Sequence, residues 1–217
     1  MRIGILGSGL MGGKLGTIWA RAGHEVVFSY SRSEKKLERL AREAGGSARA
    51  GTPGEAAKDA DALLLAVHWS RMDDVLKKAG NLSGKVIVTC SLPMNDDDTG
   101  LVIGRTSSGA EALRKKVPKA RIVAAFNTVP SEVFFSVFGN RGRGTPPDLV
   151  YYGDSAKAKE VAARLIRDVG FEPLDVGPLR IARYAEAFTL LVAQLAYEGN
   201  RGPAMAYRFE WFEERNA

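Results

Sequence analysis

The chain has 217 residues, 45% of them hydrophobic and 26% charged, the balance of a globular protein with ample material for a core. Its net charge is +6, but lysine and arginine are scattered, which fits small anionic ligands and argues against a nucleic-acid surface. No apolar run approaches the ~20 residues of a membrane span, so no membrane is expected as a partner.

The first strand is read at residues 2–6, a short apolar run. Gly7, Ser8, Gly9, Leu10, Met11 and Gly12 follow at once with the spacing G-x-G-x-x-G. A helix over residues 14–22 and a second apolar run at 26–28 complete a βαβ unit, the context that gives this motif its meaning. Each glycine has its own task. Gly7 permits the tight turn out of the strand, Gly9 lets backbone approach a pyrophosphate, and Gly12 lets the helix pack close to the sheet. The free N–H groups and dipole of the helix N-terminus favour that anion. A dinucleotide site is therefore expected here.

The end of the second strand says which dinucleotide. An NAD site usually places an acid there for the ribose 2′-hydroxyl. This chain has Ser29, Tyr30, Ser31 and Arg32, with Lys35 and Lys36 just beyond. An acid would repel a 2′-phosphate, whereas Arg offers a planar fork of donors and the serines add hydroxyls. NADP(H) is expected over NAD(H).

Ser33 can cap a helix running from 34 to about 44, ended by Gly45 and Gly46. A short strand at 47–50 and a helix at 54–59 opened by Thr52 and Pro53 follow. Residues 62–67 form a continuous apolar run, as expected of a strand covered on both faces. It ends in His68, Trp69 and Ser70, before a helix with apolar Met72, Val75, Leu76 and Ala79. A strand at 85–89 then leads to Cys90 and the loop of Ser91, Leu92, Pro93, Met94 and Asn95. As the one cysteine, Cys90 excludes an internal disulfide, reads as a buried core thiol and fits a reducing, cytoplasmic compartment. The N-terminal apolar stretch is too short and too broken by glycines for a signal peptide. Asp96, Asp97 and Asp98 lack neighbouring His or Cys and read as a solvated loop rather than a metal site.

A helix is expected at 107–116, a strand at 121–126 ending in Asn127-Thr128-Val129-Pro130, and a short aromatic-rich helix from Ser131. The turn-rich segment 140–147 reads as mobile. A strand (148–152), a helix (155–169) and a strand (172–176) lead to a last helix at about 180–197. That helix is apolar nearly all round, with Tyr184, Ala187, Phe188, Leu191 and Leu195 on one face. Such a helix near a chain end implies cover by another subunit, and a homodimer is expected.

This alternation predicts a Rossmann-type α/β fold, a doubly wound, mostly parallel sheet with a small C-terminal helical extension. Residues 1–179 are read as the NADP-binding domain and 180–217 as the extension, serving dimerisation and the acceptor site. In such sheets ligands bind beyond the carboxyl ends of the strands, where strand order reverses. The loops at 7–12, 29–32, 67–69, 90–94 and 126–130 should share one crevice. Ala66, Val67, His68, Trp69, Ser91, Leu92, Pro93, Ala125 and Asn127 therefore join the glycine motif, Ser29, Ser31, Arg32, Lys35 and Lys36 as candidate cofactor-binding residues. His68 would either touch the nicotinamide carboxamide or a substrate, or only cap backbone groups. His24, in the turn before the second strand, reads as structural.

The chain resembles the NADPH-dependent deazaflavin (coenzyme F420) reductase family, whose fold also forms the NADP-binding domain of the STEAP metalloreductases. The resemblance rests on residues 2–9 and 23–27, the pair Ser31-Arg32, and residues 66–69. It continues through Ala125-Phe126-Asn127-Thr128-Val129-Pro130, residues 152–154 and residues 170–179. It implies that Ser8 to Met11 hold the pyrophosphate and that Ser31, Arg32 and a following Lys hold the 2′-phosphate. Val67, Trp69 and Ala125 would border the nicotinamide nucleotide. Either Lys35 or Lys36 fits the Lys role, because the turn at 28–30 is one residue longer than the family's. In place of the family's Pro after the fourth strand and Val/Pro-rich loop after the fifth stand His68 and Asn95-Asp96-Asp97-Asp98, a poor match to an anionic deazaflavin.

The resulting expectation is an oxidoreductase passing a hydride between NADP(H) and a deazaflavin (F420) or flavin-like acceptor, with no catalytic side chain and no metal. The alternatives are an NADP(H)-binding or sensing module without turnover, and an NADPH-dependent reductase of a small carbonyl or imine. The motif at 9–12 is also similar to that of β-hydroxyacid dehydrogenases. Their catalytic Lys lies in a large helical second domain, which residues 180–217 are too few to form.

Overall fold

The structure, a computed structural model, describes residues 1–212. Residues 213–217, the end of the expected C-terminal extension, lie outside the described residues. The N-terminal half runs β1 (Arg2–Leu6), α1 (Leu10–Arg21), β2 (Glu25–Ser29), α2 (Glu34–Ala44), β3 (Arg49–Ala50), α3 (Pro53–Lys58) and β4 (Ala62–Leu65). It continues through α4 (Met72–Ala79), β5 (Val86–Thr89), α5 (Gly109–Lys116) and β6 (Arg121–Ala124). The remainder is α6 (Phe134–Gly139), β7 (Asp148–Gly153), α7 (Ala156–Val169), β8 (Glu172–Asp175) and α8 (Ala182–Ala193).

The described strands form a single sheet in the order β3-β2-β1-β4-β5-β6-β7-β8. The chain winds outward from β1 in one direction and then, from β4, in the other. The doubly wound fold expected from the sequence is present. Strand period sorts the side chains onto two faces. Ile3, Ile5, Val26, Phe28, Leu64, Val88 and Val123 meet α1, α2, α6 and α7. Val27, Leu63, Leu65, Ile87, Ile122 and Ala124 meet α3, α4, α5 and α8. Ala182 and Ala185 of α8 belong to this second core, so the C-terminal helix packs on the sheet of residues 1–179.

One strand departs from parallel pairing: β7 runs antiparallel to β6. The segment between them holds a 3₁₀ turn at Ser131–Val133 and the six-residue α6. These short turns do not carry the chain back along the sheet, so β7 enters it from the end at which β6 leaves.

Several boundaries also differ from the sequence reading. Helix α1 starts at Leu10, four residues before the apolar pattern begins, because Gly12 and Gly13 fold into its first turns. The apolar run at 62–67 leaves the sheet after Leu65 and that at 121–126 after Ala124. Phe126 there has a positive φ of 66°, uncommon for a bulky residue. Its ring packs edge-on against Trp19 and Phe134, contacts worth about 0.5–1.5 kcal/mol each beyond burial. His24 donates or accepts at 2.9 Å with Asp168, tying the turn before β2 to α7, the structural role expected of it.

Candidate nucleotide and acceptor site

The reversal of strand order lies between β1 and β4, and there a cavity of about 600 Å³ opens beyond their carboxyl ends. The glycine motif builds its floor. Gly7 has φ 114°, and a Cβ on it would overlap the carbonyl of Ala66. A Cβ on Gly12 would overlap the carbonyl of Gly7. Both glycines are required by packing. Gly9 is different: its φ is −78°, and a Cβ there would meet nothing within 4 Å. The fold leaves that space open beside the N-terminus of α1, which carries no side-chain cap. An approaching anion would find those backbone N–H groups available.

The glycine turn is stitched to β2. Gly7 and Ser8 donate backbone N–H groups to the carbonyls of Ser29 (3.2 Å) and Tyr30 (3.3 Å), and the Ser8 hydroxyl donates to Ser29 O at 2.8 Å. Ser31, Arg32 and Lys36 line the same cavity. Neither the Arg32 nor the Lys36 side chain forms a hydrogen bond or ion pair with another described residue, so both cations are free for an anion. This arrangement selects Lys36 over Lys35, which is exposed and does not line the cavity. Ser29 departs from the sequence reading: its side chain is fully buried, and its hydroxyl donates to Ile5 O at 2.7 Å. As the last residue of β2 it faces the core, not the ligand space.

Helix α4 and the 3₁₀ turn that leads into it supply residues that sequence reasoning missed. Arg71, Asp74 and Lys78 line the far wall at helical spacing. Tyr30 closes the corner between them and the glycine turn. The available signal was this spacing of charges in the segment directly after His68 and Trp69.

Ala66, Val67 and His68 complete the cavity. His68 Nδ1 accepts from the backbone N–H of Ser70 at 3.3 Å and lies 2.9 Å from its hydroxyl. Its Nε2 is 3.3 Å from both Asn95 O and Asp98 Oδ1. Both ring nitrogens are thus engaged by neighbouring groups, and the side chain also lines the cavity. Trp69 begins a 3₁₀ turn and packs into the second core rather than lining a cavity. Ser91 accepts from Val67 N–H at 3.1 Å and donates to Leu65 O at 3.3 Å, joining the ends of β4 and β5. Pro93 packs on Gly109, and Ala125 is fully buried. Ser91, Pro93 and Ala125 shape the cleft from behind and do not line it.

A second cavity of about 410 Å³ adjoins the first, where Gly9 gives way to Leu10 and where His68 meets Asp98. Leu10, Met11, Leu92, Val129 and Pro130 line it, with Asn127 and Ser131. Leu190, Ala193 and Tyr197, from α8 and the turn after it, close the far side. Asn127 is 6% exposed; its amide donates to Tyr152 Oη at 2.9 Å while its Oδ1 has no partner among the described residues. Cys90 borders this cavity, and burial pushes its thiol up to about 12, which leaves it without nucleophilic character near neutral pH. No group of three or more metal-ligating side chains occurs among the described residues. Asp97 instead takes hydrogen bonds from Thr99, inside a turn closed by Asn95.

Residues 2–93 match the family model described as NADP oxidoreductase, coenzyme F420-dependent. The metalloreductase STEAP3 of Rattus norvegicus is 29% identical over 191 residues, 87% of this chain but 36% of that protein, so the chain spans about a third of this relative's length. Among solved structures, a protein of Arthrobacter sp. FB24 provisionally named an F420-dependent NADP-reductase superposes with a TM-score of 0.85. It is 22% identical, covering 97% of this chain and 100% of its own. A reductive aminase of Aspergillus terreus, solved with NADPH4, cyclohexanone and allyl amine, gives 0.61 at 19% identity, over 89% of this chain and 59% of its own. At such identities the structures speak for the fold. Through residues 2–93 the chain is similar to the family described as NADP oxidoreductase, coenzyme F420-dependent, and over most of its length it is similar to STEAP3.

Proposed function

We propose that the protein binds NADP(H) in the larger cavity and passes a hydride between it and a flavin-like or deazaflavin ring in the smaller one. The observation that carries this reading is the open space over Gly9, flanked by the unpaired cations Arg32 and Lys36 and next to an apolar chamber. In this assignment Ser8 to Met11 hold the pyrophosphate, with the backbone N–H groups from Gly9 onward as donors, and Ser31, Arg32 and Lys36 hold the 2′-phosphate. Val67, His68 and Asn127 border the nicotinamide end.

When bound, NADPH supplies the hydride, and the acceptor ring takes it with its electron pair and one further proton from solvent. The chain's own part is to position two rings and exclude water. The side chains around the chamber agree with this. His68 has both nitrogens engaged, Cys90 stays a thiol, and no Lys lines the chamber. We assign residues 1–179 to nucleotide binding and the segment from 180 onward to the acceptor wall and a homodimer contact.

The test is NADPH oxidation followed with a panel of flavins and deazaflavins, in the wild type and in His68→Ala. A positional mechanism predicts that His68→Ala lowers turnover by less than the ~100-fold typical of losing a general acid or base. Loss of all activity with NADPH affinity intact would instead make His68 a proton donor and point to a carbonyl or imine substrate.

A further inference from the structure

We propose, resting on the hydride-transfer reading above, that the acceptor is an uncharged isoalloxazine-class ring without a phosphate or carboxylate tail. The two cavities differ in charge. The larger presents Arg32, Lys36, Arg71 and Lys78. Only one carboxylate, Asp74, stands among them, and it is already engaged by Lys78 and Tyr30. Among the described residues the smaller is lined by no Lys or Arg, and the one charged lining residue is Asp98.

The surroundings of the smaller cavity extend the same sign. Asp96 and Asp97 precede Asp98 on an exposed loop. Glu132 follows the lining residue Ser131 and accepts from the Tyr197 hydroxyl at 3.2 Å. One ammonium, that of Lys14, donates to Ser131 Oγ at 2.9 Å. A phosphate or oligocarboxylate tail leaving this chamber would pass four carboxylates against one ammonium. Each exposed like charge ~7 Å from a phosphate weakens binding roughly twofold in water, so the set discriminates by about tenfold at low salt.

The chamber suits a ring in other respects. Its volume of about 410 Å³ lies within the range of small-molecule sites. Leu10, Met11, Leu92 and Leu190 supply apolar faces. Asn127, whose Oδ1 is buried and unpaired, lines the same chamber and brings a polar amide to its otherwise apolar wall. Unlike a nucleotide, such a ring brings no anion, so all anionic recognition falls to the larger cavity.

The experiment uses the full chain with riboflavin, riboflavin 5′-phosphate and a phosphorylated deazaflavin. NADPH oxidation gives kcat/KM, and quenching of flavin fluorescence gives Kd, each at low and high ionic strength. The expected result is an approximately tenfold preference for riboflavin over its phosphate at low salt. That preference should narrow severalfold at high salt and in Asp96→Asn/Glu132→Gln. Equal or better binding of either phosphorylated ring overturns the proposal, as does failure of riboflavin to bind. If riboflavin binds about tenfold tighter than its phosphate but no ring is reduced, the preference stands and the hydride-transfer reading fails.

Discussion

The phenol of Tyr30 donates to Asp74 Oδ2 at 2.7 Å, and Lys78 reaches the same oxygen at 2.8 Å. Tyr30 holds φ 57°, the left-handed region that costs a non-glycine residue about 1–2 kcal/mol. Its carbonyl meanwhile accepts from Ser8 N–H. This one residue therefore links the glycine turn, the turn bearing Ser31 and Arg32, and α4. Burial first, and then the bond to Asp74, push its hydroxyl up to about 12, so it remains a donor. Tyr30→Phe removes that bond and should weaken NADPH binding roughly 3- to 10-fold, the worth of one net hydrogen bond. Turnover at saturating NADPH should change little. A fall in kcat with unchanged Kd, measured by nucleotide titration, would show that Tyr30 acts on chemistry rather than on posture.

Arg32 carries the choice between nucleotides. Arg32→Ala should cost ~1.5–3 kcal/mol in NADPH binding, the scale of a charge-assisted hydrogen bond, which is about 10- to 150-fold. NADH has no 2′-phosphate to lose and should be nearly unaffected. Parallel calorimetric titrations decide the point, and equal losses for both nucleotides would remove Arg32 from the 2′-phosphate site.

Two of the motif glycines should separate cleanly. Gly12→Ala forces a Cβ onto the carbonyl of Gly7 and should lower the melting temperature by several degrees or prevent folding. Gly9→Ala meets no protein atom and should leave the melting temperature nearly unchanged while weakening NADPH by an order of magnitude or more. Thermal melts of both variants with and without NADPH test this. An intact ligand-induced shift in Gly9→Ala would mean that the nucleotide does not cross there.

The sequence was most legible where one local rule has one structural outcome. Ser33 caps α2, and the Thr52–Glu55 pair closes a capping box on α3. The continuous apolar runs became the central strands, and their loop ends line the cleft at Gly7, Ser31, Val67, Leu92 and Asn127. Orientation was not legible. Ser29 and Arg32 are three residues apart in one basic, hydroxyl-rich turn, yet the strand ends on Ser29 and turns its hydroxyl to the core. Lys35 and Lys36 could be told apart only once α2 fixed which of them faces the cavity. Contacts set by tertiary packing, such as Tyr30 with Asp74 and Asn127 with Tyr152, left no mark in the local pattern.

Tyr184 and Leu191 on α8, and Leu195 just beyond it, are each more than half exposed. Tyr197, on the turn that follows, is exposed to a similar degree. Such a stripe beside a ligand chamber favours cover by a second copy under two-fold symmetry. Leu191→Glu/Leu195→Glu should convert a dimer to a monomer in multi-angle light scattering. A wild-type monomer at micromolar concentration would end the dimer proposal.

Glu186 joins α8 to α5 from within the core. It is 2% exposed, and its two oxygens accept the backbone N–H groups of Gly109 (2.9 Å) and Ala110 (3.0 Å) at the start of α5. Burial raises its carboxyl from the usual range to about 7, against the lowering effect of those two bonds. A folded-state pKa above the unfolded one means that the native state holds the extra proton between about 4.5 and 7. Its contribution to stability is fully present below that window and is lost as pH rises through about 7. Glu186→Gln cannot ionise, so the pH-dependent part should vanish in the variant. Relative to wild type, the variant should be least stable near pH 5 and should gain on it up to pH 8, by on the order of 3 kcal/mol at most. Urea melts of both proteins across that range measure the difference. A difference that stays constant from pH 5 to 8 would show that the carboxylate is ionised throughout and serves only as a cap.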